Sequence, residues 1–207
     1  MSAHEMGEFH YKANLFKVLS ELYKKPDANL PGYLFHMVEA LEELHPELAR
    51  KAEDLADELE RYQLNESDNR LVIDYAKLFV GPFDVKAPPY GSVYLDDGRR
   101  LMGDSTKAVE AVYRESGVEK LSVFHEPPDH ITVEMEFVYY LYFKYIDTGE
   151  LKYLEIMQRF IQQFIVTWIF SFAKKIREHA KEPFYLKLAL FTEEVIEWEA
   201  RHVEHQT

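Results

Sequence analysis

Apolar residues recur at the helical spacing along nearly the whole chain, and one interior segment, residues 81–104, breaks that rhythm. An aperiodic stretch of this length is uncommon inside a compact domain and is usually functional or disordered. Here Phe83, Tyr90, Val93, Tyr94 and Leu95 alternate with Pro82, Pro88 and Pro89, a composition too apolar and too stiff for disorder. Pro88-Pro89 fixes an extended path, Gly81 and Gly91 permit sharp turns, and Asp97-Gly98 is a turn signal.

The flanking sequence predicts helices over residues 8–25, 31–44, 46–64 and 68–80, with Ser67 as the N-cap of the fourth. In the first, Phe9, Ala13, Phe16, Ser20 and Tyr23 form one stripe. Pro26 closes it, and His45-Pro46 separates the second from the third. Beyond the aperiodic segment, Asp104 or Ser105 caps a helix to Ser116, closed by Gly117. Pro127-Pro128-Asp129 opens the longest helix, to Thr148-Gly149. Residues 151–165, 167–180 and 183–202 predict three more. The expected fold is an all-α single-domain bundle of about eight to ten helices covering residues 1–207, with the Pro/Gly loop in its middle.

Composition narrows the function. A chain with no cysteine has no disulfide, thiolate metal site or Cys nucleophile, which suits a reducing cytoplasm. The first residues lack the basic and apolar regions of an export signal. Residues 160–173 are the longest apolar run, too short to span a bilayer and interrupted by Gln162, Gln163 and Thr167. A net charge of −13 opposes nucleic acid and anionic lipid and favours a basic ligand, although it also simply maintains solubility.

On a helical wheel started at Ile131, Met135, Val138, Tyr142 and Tyr145 share an apolar arc, and Glu134 falls inside it. A buried carboxyl must be paired, hydrogen-bonded or neutral. His130, one turn earlier, is the local candidate partner. Two readings fit: a polar hot spot in a groove for a cationic ligand, or a satisfied pair that only fixes packing. His125-Glu126 followed by His130 superficially resembles a zinc-protease run, but its histidines are five apart instead of four and Pro127-Pro128 intervenes. No metal is expected. Ser92 lies outside any nucleophile elbow, and neither common nucleotide-binding glycine pattern occurs. The alternative to a binding protein is a small metal- or carboxylate-dependent hydrolase using His130, Glu134 and Asp129.

Four motifs stand out together: Leu78-Phe79-Val80-Gly81-Pro82, Pro88-Pro89-Tyr90-Gly91-Ser92-Val93-Tyr94-Leu95, Gly98-Arg99-Arg100-Leu101-Met102-Gly103 and Glu126-Pro127-Pro128-Asp129-His130-Ile131 with Glu134-Met135-Glu136-Phe137. Taken together they resemble the TorD/DmsD/NarJ family of redox-enzyme maturation chaperones. The resemblance implies an all-helical cytoplasmic chaperone without turnover. It would bind the twin-arginine leader of a molybdopterin-type oxidoreductase, in the apo form, and delay export until the cofactor is loaded. It implies a monomer or dimer with no cofactor of its own beyond weak guanine-nucleotide binding. The family's Ser-x-Tyr and Glu-x-x-Asp-His segments fall on Ser92, Tyr94, Glu126, Asp129 and His130. The expected leader site adds Phe79, Gly81, Pro82, Pro89, Tyr90, Glu134 and Phe137. Gly91 stands where the family often has an acid, and Met135 where Leu is usual.

Overall fold

The computed structural model describes residues 3–62, 64, 68–81, 84–98, 100–118 and 126–204. Helix α1 (Ala3–Leu22) runs antiparallel along α7 (Ile131–Thr148): Phe9 meets Tyr145 at one end and Lys24 meets Glu136 at the other. α2 (Leu30–Leu44) and α3 (Pro46–Leu59) form a hairpin whose corner is His45, and the His45 ring caps α3 by accepting from Leu48 N–H at 3.3 Å. α10 (Pro183–Glu204) closes the bundle against α3 and α9 (Val166–His179). The apolar run of residues 160–173 lies at the centre. Phe160, Ile161, Ile165, Trp168, Ile169, Phe172 and Ala173 are all buried in one contiguous core.

The all-α expectation holds among the described residues, and most helix boundaries fall within a few residues of their predicted places. The differences are informative. The third helix stops at Leu59 instead of Leu64, and the Ser67 cap lies outside the described residues. α4 (Arg70–Tyr75) ends in a π turn, Ala76–Val80, closed by Gly81 N–H donating to Ala76 carbonyl at 2.7 Å. The predicted aperiodic segment contains a short helix, α5 (Ser92–Leu95).

Neither Asp104 nor Ser105 caps α6 (Asp104–Glu115). Asp96 reaches back instead and accepts from both the backbone N–H (3.3 Å) and the hydroxyl (2.9 Å) of Ser105. α7 starts at Ile131, not at the prolines, and its 18 residues are fewer than the 20 of α1 and the 22 of α10. The two helices predicted over residues 151–180 are one run. α8 (Lys152–Phe160) continues through a second π turn, Ile161–Ile165, into α9. No described helix is long and apolar enough to cross a membrane.

Candidate functional site

The Pro-rich loop is laced to the entrance of α7. After Gly81, with φ at +40°, the chain folds back, and Ala87 N–H donates to Leu78 carbonyl at 2.8 Å. The extended Pro88-Pro89 step then runs antiparallel to residues 129–131. Ile131 N–H donates to Pro89 carbonyl and Gly91 N–H to Asp129 carbonyl, both at 2.9 Å, around the Tyr90–His130 bridge. The Asp129 carboxylate accepts from Ser92 N–H at 2.8 Å, so it supplies the missing cap of α5. From below, Tyr113 donates to Pro128 carbonyl at 2.8 Å and packs its ring on Phe137, centroids 4.3 Å apart. The sequence-distant segments around Ser92 and Asp129 are therefore one structural unit.

His130 is the N-cap of α7. Its Nδ1 accepts from Thr132 N–H at 3.2 Å and lies 2.7 Å from the Thr132 hydroxyl. That fixes the tautomer with the proton on Nε2, which faces a Glu126 oxygen at 4.0 Å. Burial, reinforced by Lys24, lowers the imidazole pKa to about 4 against the pull of Asp129, so the ring is neutral at neutral pH. The protonated form is thus favoured in the unfolded chain. Stability contributed by the neutral ring is complete above about pH 6.5 and is lost as pH falls towards 4. Between about pH 7.5 and 5 the protein is expected to lose about 2 kcal/mol more than His130→Asn, which keeps a capping oxygen. Urea midpoints at the two pH values measure this, and equal losses would refute it.

Tyr90 packs edge-on against His130, centroids 5.0 Å apart, and its hydroxyl lies 3.4 Å from Glu126. Burial and the Glu126 charge push the Tyr90 phenol up to about 12. The Glu126 side chain is 49% exposed. Of the carboxylates expected at the site, it alone faces solvent, since Asp129 and Glu134 are each 1% exposed.

Glu134 is buried, as its place on the wheel requires, but His130 is not its partner. Trp168 Nε1 donates to it at 3.1 Å, because the indole of α9 crosses α7 at that level while the His130 ring turns back to cap the helix. Burial, with Asp129 adding to it and the indole bond opposing, holds the Glu134 carboxyl well above the usual carboxylate range. The group is therefore read as a neutral acid that accepts one bond. Glu134→Gln preserves that acceptor and is expected to leave stability at neutral pH within about 1 kcal/mol, whereas Glu134→Ala strands the indole N–H and costs about 1–3 kcal/mol. Chemical denaturation decides; equal stability of the Ala variant and the parent would refute the pairing.

The same indole explains Gly91. A Cβ there would come within 3.1 Å of Trp168 Nε1. Tyr94 stacks on the other part of Trp168 with centroids 5.7 Å apart and rings 24° from parallel. Phe79 joins Tyr23, Tyr75, Phe172 and Tyr185 in an aromatic cluster beneath the loop. Pro89, Ser92 and Phe137 are buried, while Gly81 and Tyr90 are half-buried. Pro82 and His125 lie outside the described residues. Most of the predicted site residues thus build the seam, and Glu126 and Tyr90 present it. Ser92 Oγ and Asp129 Oδ1 are buried without a hydrogen-bond partner among the described residues. No described group of three or more His, Asp or Glu is arranged to hold a metal ion. Trp168 was the residue sequence reasoning undervalued. The signal was an indole N–H in a greasy helix, which must find an acceptor.

Comparison with known proteins converges on one family. The sequence model for the nitrate reductase delta subunit family matches residues 40–174. The chain belongs to this family, the TorD/DmsD/NarJ chaperone family. A chaperone protein TorD from Vibrio parahaemolyticus is 26% identical over 89% of this chain and 91% of the relative. A Tat proofreading chaperone DmsD from Salmonella typhi is 29% identical over 65% of this chain and 63% of that protein. The crystal structure of a putative redox enzyme maturation protein from Archaeoglobus fulgidus shares the fold. Its TM-score is 0.54, with 22% identity over 88% of this chain and 93% of the other.

Proposed function

We propose that this protein is a cytoplasmic chaperone that binds the twin-arginine signal peptide of a molybdopterin-type oxidoreductase and holds the apo enzyme back from export. It performs no catalysis and needs no resident cofactor. The observation that carries this reading is the exposed Glu126 carboxylate beside Tyr90, with the neighbouring His130 neutral. A carboxylate without a counter-charge among the described residues, on the rim of an aromatic seam, is suited to a guanidinium. Ile73 and Val80, 50% and 59% exposed, are apolar residues presented to solvent on the helix that leads into the loop. Supporting it further are family membership and the proofreading role in the names of the DmsD relatives. The hydrolase alternative has no working acid–base pair, because His130 Nδ1 is committed to its cap and Glu134 to Trp168.

Titration calorimetry with a peptide of two adjacent arginines followed by an apolar stretch tests the proposal. Glu126→Ala is expected to weaken binding about tenfold or more, as is replacing both arginines by lysine. Binding should fall as salt rises and keep a salt-resistant remainder from the apolar contact. Asp129→Ala and Tyr94→Ala should weaken it indirectly, by loosening the loop. Unchanged affinity for Glu126→Ala and for the lysine peptide would place the site elsewhere.

A further inference from the structure

Two acids, Asp129 and Glu134, are buried in the seam, and neither forms an ion pair among the described residues. Both act on the Gly91-Ser92 step of the loop. Asp129 Oδ2 accepts from Ser92 N–H at 2.8 Å. Trp168 Nε1 donates to Glu134 Oε2 at 3.1 Å, and the same nitrogen lies 3.1 Å from where a Cβ on Gly91 would be. The two carboxyl groups therefore border one short piece of loop backbone. In a buried place of this kind two carboxylates do not both ionise, because each is desolvated and each repels the other. The bonding shows what is left over. A neutral Glu134 whose Oε2 is taken by the indole still has an O–H to give, and Asp129 Oδ1 is a buried acceptor without a donor among the described residues.

The surrounding elements supply no competing charge. From α6 comes the Tyr113 phenol, which burial, then Glu134 and Asp129, hold un-ionised. From α9 comes the indole. Lys17 of α1 and Lys24 just past its end are taken up by Glu21 and Glu136. His130 is neutral and turned back to its cap. We propose that Glu134 and Asp129 hold a single proton between them, and that the pair is a pH-sensitive latch fastening the loop to α7. With the proton in place, Asp129 keeps Ser92 and Glu134 keeps Trp168. When the proton is lost to solvent, two negative charges meet in a buried site, and Asp129 relieves the repulsion by releasing Ser92 N–H. The loop then loosens and carries Tyr90 away from Glu126. The effect on leader binding rests on the proposed leader site, whereas the latch does not.

A carboxyl that keeps its proton in the folded chain and loses it in the unfolded chain makes stability fall as pH rises. Its contribution is complete below about pH 4.3 and is lost as pH rises through the folded value. Infrared spectroscopy and hydrogen exchange on the full chain are the test. At neutral pH the parent is expected to show a protonated-carboxyl band that Glu134→Gln lacks. Asp129→Asn keeps an acceptor for Ser92 N–H but removes the like charge, so the band should titrate away at least about one pH unit lower. At about pH 9, residues 90–95 should exchange faster in the parent than in Glu134→Gln, and the parent's urea midpoint should fall with pH relative to that variant, the His130 titration being common to both. A parent without the band, a band indifferent to Asp129→Asn, or equal exchange of residues 90–95 overturns the proposal. Affinity for the arginine-arginine peptide should fall about tenfold or more between about pH 7 and 9 in the parent, and that pH dependence should vanish in Glu134→Gln. If the peptide binds neither protein at any pH while the band and the exchange behave as expected, the latch stands and the leader reading fails. If it binds the parent equally at both pH values and the exchange is also unchanged, the latch fails and the leader site stands.

Discussion

Lys12→Met is expected to destabilise the protein by about 3–5 kcal/mol, because it leaves a buried carboxylate without its counter-charge. Lys12 and Glu199 are 3% and 1% exposed, on α1 and near the end of α10. Lys12 Nζ lies 3.5 and 3.4 Å from the two Glu199 oxygens and 4.9 Å from the centre of the Trp198 ring. The Tyr142 hydroxyl of α7 donates to the same carboxylate, and burial together with that carboxylate holds the phenol well above its ordinary range. Glu8, one turn before Lys12, adds a more exposed partner at 3.4 Å.

The cluster thus joins the first, seventh and last helices through one charged centre. Removing one charge is far more damaging than removing both, since a low-dielectric site penalises the survivor. The double variant Lys12→Met/Glu199→Gln should therefore recover much of the loss, and a double-mutant cycle in urea measures the coupling. A single variant as stable as the parent would mean that water reaches Glu199 and α10 is not closed at its end.

Much of this architecture was readable before any coordinates. Leu34, Met37 and Leu41 on α2, and Ala13, Phe16 and Ser20 on α1 with Tyr23 just past its end, are buried as the helical period requires. The wheel also placed Glu134 inside α7 correctly. Its partner was not legible, since Trp168 comes from 34 residues later and only the packing of α9 across α7 brings it near. The two π turns were invisible for a related reason. Each inserts one extra residue per turn, which shifts the apolar phase without a break in composition. A period-based reading therefore ended the helix at residue 165, where the chain continues. The α6 cap shows the same limit: the residue at the helix start looked sufficient, yet Asp96, from the other side of the turn, makes the bonds. Spacing exposes what one element needs, and it cannot reveal which distant element answers.

Trp168→Ala is expected to cost about 3–5 kcal/mol and to abolish leader binding even where the bundle stays folded. Four contacts meet on this indole. Its N–H satisfies Glu134, its face stacks on Tyr94, Phe172 packs against it at 5.4 Å between centroids, and Gly91 lies so close that even a Cβ there would crowd it. Gly91 and Tyr94 belong to the loop, while Glu134 belongs to the helix that Asp129 and His130 introduce. Trp168 is the surface on which the loop and the helix entrance are registered to each other. Truncation should release the loop, so that Tyr90 no longer holds its place beside Glu126 and the proposed guanidinium site loses its wall.

Two milder variants separate these effects. Trp168→Phe keeps most of the volume and removes the donor, for an expected cost of about 1–3 kcal/mol. Gly91→Ala keeps the indole and crowds it, so it should weaken peptide binding more than it weakens the fold, because the loop can yield more easily than α9. Denaturation midpoints and calorimetry on the same three proteins give both quantities. If Trp168→Ala binds the peptide like the parent while folded, the loop is positioned by its backbone bonds to residues 129–131 alone, and the indole serves only the core.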